Sequence, residues 1–180
     1  MTDNNIPPLA SLEYIPYIDE NGHLPEQWQG KIGVYAVFDN EKVLQLINYS
    51  RDISVSIKQH LVRQPQHCYW LKAHIIERPN RTILESIRDA WIEENGAIPV
   101  GNSSEKEKWN DPIDAKLAMT AEEQAKFTSL TIDEIGQAKL LKNVARRVEE
   151  EIFTELKARG VQVELRFNPK LKESGLLDLK

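Results

Sequence analysis

Between Lys42 and Arg81 the 180-residue chain gathers seven cations: Lys42, Arg51, Lys58, Arg63, Lys72, Arg78 and Arg81 stand against Asp52 and Glu77 alone. The stretch carries +5 in a chain of net charge −5, which leaves −10 for the rest. A basic island in an acidic protein is what a phosphate-binding face requires, provided that folding brings the cations together. Arg51 is well placed for this, at the start of an expected helix, where backbone N–H groups already favour phosphate. His67, Cys68 and His74 could ligate a transition metal, but their spacing offers no fourth ligand, and chance placement is the better reading. Cys68 is either an exposed redox handle or, as is commoner, a buried inert thiol.

The elements that must position these groups follow from periodicity. Ile32 to Phe38 is β-branched and aromatic, "DNEK" reads as a hairpin turn, and Val43 to Ile47 as the return strand. Ser50 can cap a helix with Asp52 in its first turn, and Ile53, Ile57 and Leu61 give it a buried stripe. Tyr69 to Ile76 reads as a third strand. A second helix starts near Asn80, buries Ile83, Leu84, Ile87, Trp91 and Ile92, and stops at Gly96. On that helix Arg88 falls on the sheet-facing side, where a cation needs a carboxylate, a phosphate or an exit to solvent.

Thr120 with Glu123 and Thr131 with Glu134 fit capping boxes, and Leu141, Val144, Val148, Ile152 and Leu156 form a long helical stripe. Val161, Val163, Leu165 and Phe167 alternate as a half-buried strand does. The expected fold is α+β: a small antiparallel three-stranded sheet flanked by helices, with a C-terminal helical extension ending in a strand. Its expected parts are an arm (1–29), a main domain (30–102), a linker (103–119) and the extension (120–180).

The composition is that of a soluble globular protein, 41% apolar and 28% charged. No run approaches the ~18 apolar residues of a membrane span. The N-terminus lacks a basic n-region and an apolar h-region, so a cytoplasmic setting is expected. One cysteine excludes an intrachain disulfide.

Strand, strand, helix, strand, helix and a Pro-x-x-Asn loop is the element order of the GIY-YIG endonuclease superfamily, which residues 30–102 resemble. The runs "SRDISVSIKQHL", "CYWLK", "ERP", "WIEENG" and "PVGN" are similar to stand-alone cyanobacterial proteins and to the N-terminal domain of plant plastid monothiol glutaredoxins. The resemblance implies hydrolysis of nucleic-acid phosphodiesters, with a glutamate on magnesium, tyrosines activating water and an arginine on the phosphate.

Tyr35 matches the first family tyrosine and Asn102 the closing asparagine, whereas Leu46 stands for the second tyrosine and Asn48 for the glycine. The helix arginine falls on Ser56, leaving Arg51 as its substitute, and His60 is a common companion in the motif. The glutamate position falls on Arg88. Glu85, one turn earlier, is the nearest acid for magnesium, and it is also the end of a Thr82-x-x-Glu85 capping box. Tyr49 is either the replacement tyrosine or a surface aromatic.

The implied catalytic set is thus Tyr35, Arg51, Glu85, His60 and Tyr49. Arg51, Lys58, Arg63, Arg88 and Asn102 are the expected nucleic-acid contacts. The alternative is a catalytically inactive nucleic-acid-binding or protein-interaction module on the same fold. No membrane partner is expected, and the extension offers a surface for a homodimer.

Overall fold

Ile32–Phe38 (β2) and Leu44–Ser50 (β3) form the expected hairpin. Asp39 organises its turn by accepting from the backbone N–H groups of Glu41 and Val43, both at 2.9 Å. Trp70–Ile76 (β4) pairs with the other side of β2. A two-residue strand, Ile15–Pro16 (β1), adds to β4 and completes a four-stranded antiparallel sheet in the order β1-β4-β2-β3. The sheet therefore has four strands where the sequence predicted three. The extra one comes from the arm, and its proline sits at an edge, where a missing N–H is tolerated. The computed structural model describes residues 5–180, and these divide into two units, the first ending at Asn110 and the second running from Asp111 to Lys180.

Strand alternation gives the sheet of the first unit two distinct faces. Gly33, Tyr35 and Val37 share one with Ser50, Asn48 and Leu46, their cross-strand partners. Helix α1 (Ile53–Arg63) covers that face and buries Ile53, Ile57 and Leu61 as expected. Its N-cap is Asp52, which accepts from Ser54 N–H at 3.1 Å, rather than Ser50, whose hydroxyl ties the Asp52 backbone instead. Val34, Ala36, Phe38 and Ile47 line the other face and pack on Leu84, Ile87 and Trp91 of α2 (Arg81–Asn95). The arm seals this side. Glu94 accepts from the backbone N–H groups of Leu9 and Ala10, and buried Lys72 donates to the Leu9 carbonyl at 3.1 Å.

The open edge of β3 is closed by the turn Val100–Asn102. Asn102 acts there as a one-residue strand, since its Oδ1 accepts from Ile47 N–H at 2.8 Å and its Nδ2 donates to the Ile47 carbonyl at 2.6 Å. Gly101 permits that approach, because a Cβ would lie 2.7 Å from the Gln45 carbonyl oxygen. Gly101→Ala is expected to lower the stability of the first unit by about 1–3 kcal/mol in urea titrations. An unchanged midpoint would mean that this turn yields freely. After it, α3 (Lys106–Asn110) belongs to the first unit, and the second begins at Asp111. The expected linker, 103–119, is thus divided between ordered elements, because Trp109 is buried in the first unit.

In the second unit, α4 (Ala121–Phe127) carries the expected Thr120–Glu123 capping box. Helix α5 (Glu134–Ala158) buries its predicted stripe but is capped by Asp133, not Thr131. The expected strand over 161–167 is absent apart from one bridge, Phe167 to Leu179. Burial does alternate there, so the pattern reported one covered side and not a ladder. The C-terminal strand is instead Leu176–Leu177 (β6), paired with Ile113–Asp114 (β5) after a short helix, Pro169–Lys172 (α6). Among the described residues no helix is long and apolar enough to cross a membrane.

Candidate functional site

Tyr35 and His60 meet under α1. The phenol, 1% exposed, lies 2.7 Å from His60 Nε2, and His60 Nδ1 lies 2.9 Å from the carbonyl oxygen of Trp109. A carbonyl can only accept, so Nδ1 carries the imidazole proton and Nε2 accepts from the phenol. Burial pushes the imidazole down to about 3, against the pull of the Trp109 carbonyl, and Arg63 adds to the lowering. Burial likewise raises the phenol, outweighing Ser56 and Arg63. Arg63 Nη1 donates to the same Trp109 carbonyl at 3.1 Å. The pair is neutral, satisfied and closed off by α3. Ser56 donates to Ser50 Oγ at 2.7 Å, a local tie from the first turn of α1 back to the end of β3.

Glu85 lies across the sheet. Tyr49 pairs with Val34, so its ring faces α2, and its hydroxyl donates to Glu85 Oε1 at 3.1 Å. Arg81 Nε donates to the same oxygen at 2.7 Å. Arg81, then Tyr49, hold the Glu85 carboxyl below the usual carboxylate range. The expected capping role of Glu85 is not taken up, because Asn80 caps α2 through Ile83 N–H. The Arg88 guanidinium sits 5.6 Å from the Tyr49 ring centroid, and its Nε donates to Asp89 at 3.0 Å.

The arrangement expected of Tyr35, Arg51 and Glu85, one site holding phenol, guanidinium and acid, is therefore not formed. Tyr35 and Glu85 occupy opposite faces. The donor set also does not fit magnesium, which takes one or two free carboxylates and completes its shell with water and substrate oxygens. Glu85 is engaged by Arg81 and Tyr49 with Arg88 nearby, and among the described residues no three His, Cys, Asp or Glu side chains gather. His67, Cys68 and His74 accordingly make no metal cluster, and the Cys68 thiol is buried and donates to the His60 carbonyl.

The basic island also redistributes. Lys42 and Lys72 lie over the ring of Tyr14, Arg63 holds α3, and Lys58 is half-buried on α1. Of the remaining three, exposed Arg78 stands on the turn between β4 and α2, while Arg51 follows the end of β3 and Arg81 opens α2. Exposed Arg51 lines a cleft of about 330 Å³ with Tyr49, Asn80 and Arg81. Arg88, whose side chain is 29% exposed, lines a larger cleft of about 590 Å³ with Asn48, Asn102, Lys106 and Asn110. Its ion pair with Asp89 and that of Arg81 with Glu85 involve exposed partners, and such pairs contribute little, so a phosphate can compete for the guanidinium groups. Lys106 and Asn110 escaped the sequence reading because they sit in a polar run, "SSEKEKWND", that resembles an ordinary solvated loop.

No protein-family model matches the chain. Over 100 residues it is 40% identical to the bifunctional monothiol glutaredoxin-S16, chloroplastic, of Arabidopsis thaliana. That match covers 53% of this chain and 32% of the relative, so the chain spans about a third of that protein's length.

Proposed function

We propose that the first unit is a nucleic-acid-binding module on a GIY-YIG-type fold, gripping phosphates along the β3 edge without hydrolysing them. The observation that carries the reading is the Tyr35–His60 pair, locked beneath Trp109 on the face of the sheet opposite Glu85. A phenol with no access to substrate cannot relay a proton from attacking water. The resemblance supports the binding half of the reading. Arg88 stands where the family carries its metal-holding glutamate, and that reversal of charge exchanges a cation site for an anion site. Arg51, Arg81 and Lys106 extend the anion-binding strip on either side. The intended setting is a reducing, cytoplasmic one, consistent with one buried thiol.

Fluorescence anisotropy of labelled oligonucleotides across a salt series tests this. Binding should weaken linearly in log–log form, and Arg51→Gln or Arg88→Gln should each reduce the slope by about 0.7–0.9. Plasmid and oligonucleotide should stay intact with magnesium or manganese. Salt-independent binding would remove the module, and metal-dependent nicking lost in Glu85→Ala would restore the hydrolytic reading.

A further inference from the structure

The larger cleft beside β3 offers more than a phosphate needs. Its volume, about 590 Å³, is that of a small-molecule pocket, for which ~300–1,000 Å³ is usual. One wall is apolar, made by Ile92 of α2 and by Ile98, which is 61% exposed on the loop that follows. The other wall is amide. Asn48 Nδ2 donates to Asn110 Oδ1 at 3.0 Å, and Asn110 Nδ2 donates to the Lys106 carbonyl at 2.8 Å. A primary amide has two N–H donors, so each keeps one without a protein partner among the described residues. Arg88 and Lys106 bring positive charge to the same cleft.

A phosphate alone would use the cations and leave the isoleucines idle. A purely apolar ligand would strand the amides. A nucleotide combines the required chemistry: a flat base with apolar faces, donors and acceptors side by side on its edge, and an attached anion. We propose that this cleft seats one unstacked nucleotide unit. Its base lies against Ile92 and Ile98, its edge is read by Asn48 and Asn110, and its phosphate is held by Arg88 and Lys106. For a polynucleotide this deepens the phosphate-gripping function and rests on it; a free mononucleotide needs only the cleft. A base locked in a duplex cannot enter, so single strands are preferred.

The full chain is titrated with a single-stranded oligonucleotide, an abasic strand of equal length and a free nucleoside monophosphate. The intact strand should bind about tenfold more tightly than the abasic one, with the same salt slope. Ile98→Ser, a change at an exposed position, should erase that ratio while leaving the slope. The free nucleotide should shift the side-chain amide NMR signals of Asn48 and Asn110. Equal affinity for intact and abasic strands, or an undiminished ratio in Ile98→Ser, overturns the pocket while the phosphate-binding module stands. Amide shifts with the free nucleotide but no strand binding would keep the pocket and remove the module. No response in any arm overturns both.

Discussion

Trp109→Ala should destabilise the first unit by about 3–5 kcal/mol, the upper range for a single truncation. Trp109 is fully buried, and its ring centroid lies 5.7 Å from that of His60. Truncation would leave a cavity against the Tyr35–His60 pair, which the short α3 can close only by shifting. Trp109→Phe should cost markedly less. The indole Nε1 is buried with no hydrogen-bond partner among the described residues, a defect worth about 1–3 kcal/mol, and phenylalanine removes it. Both variants retain the main-chain carbonyl that His60 and Arg63 contact. All four tryptophans, Trp28, Trp70, Trp91 and Trp109, belong to the first unit, so fluorescence-detected urea unfolding reports that unit. An alanine variant within about 1 kcal/mol of the parent would show that α3 is not a lid on this core.

The same tryptophan marks where the sequence ran out. Periods of two and four placed β2, β4, α1 and α2, because those patterns register burial directly. Trp109 stood in an apparently irregular run. A large aromatic among charged residues was the one signal there, since such a ring is seldom left in water. The placement of Tyr49 beside Glu85, and not beside Tyr35, has a finer cause. A β-bulge between Val37 and Phe38 shifts the hairpin by one residue, so that Phe38 pairs with Leu44 but Val37 with Leu46. Without it Tyr49 would oppose Gly33 and share a face with Tyr35. With it Tyr49 turns to α2 and takes Glu85 as its partner. One unpaired residue, Gln45, thus moves every later β3 side chain across the sheet, and nothing in the residue types announces it.

The dispersal of the expected basic island has a related origin. Charge counts along a chain say nothing about which side chains will be spent on the fold. Lys72 is buried over the Tyr14 ring, 4.0 Å from its centroid, and the arm that supplies Tyr14 lies far away in sequence. Arg63 serves the Trp109 carbonyl in the same way. Ion pairs at positions 81 and 88 look like neutralised charge on paper, yet their exposure leaves them open to exchange for phosphate.

From pH 7 to pH 5 the parent protein should lose about 2 kcal/mol more stability than His60→Gln. The imidazole is held near 3 in the folded chain against an ordinary value of 6.5. The unfolded chain therefore takes up a proton that the folded chain refuses between those values, and stability must rise with pH across that window. Acidification removes the contribution from about pH 6.5 downward, and the loss levels off only near 3, where the folded imidazole also protonates. Glutamine can accept from the Tyr35 hydroxyl and donate to the Trp109 carbonyl, so the variant keeps both contacts without the titration. His74, also lowered by burial, and the carboxylates are common to both proteins and cancel in the difference. An NMR titration supplies the direct reading, with His60 remaining neutral and protonated at Nδ1 down to pH 4. Titration near 6.5 would mean that water reaches the imidazole. The phenol beside it would then be open to substrate, and a proton-transfer role for Tyr35 would return together with hydrolysis.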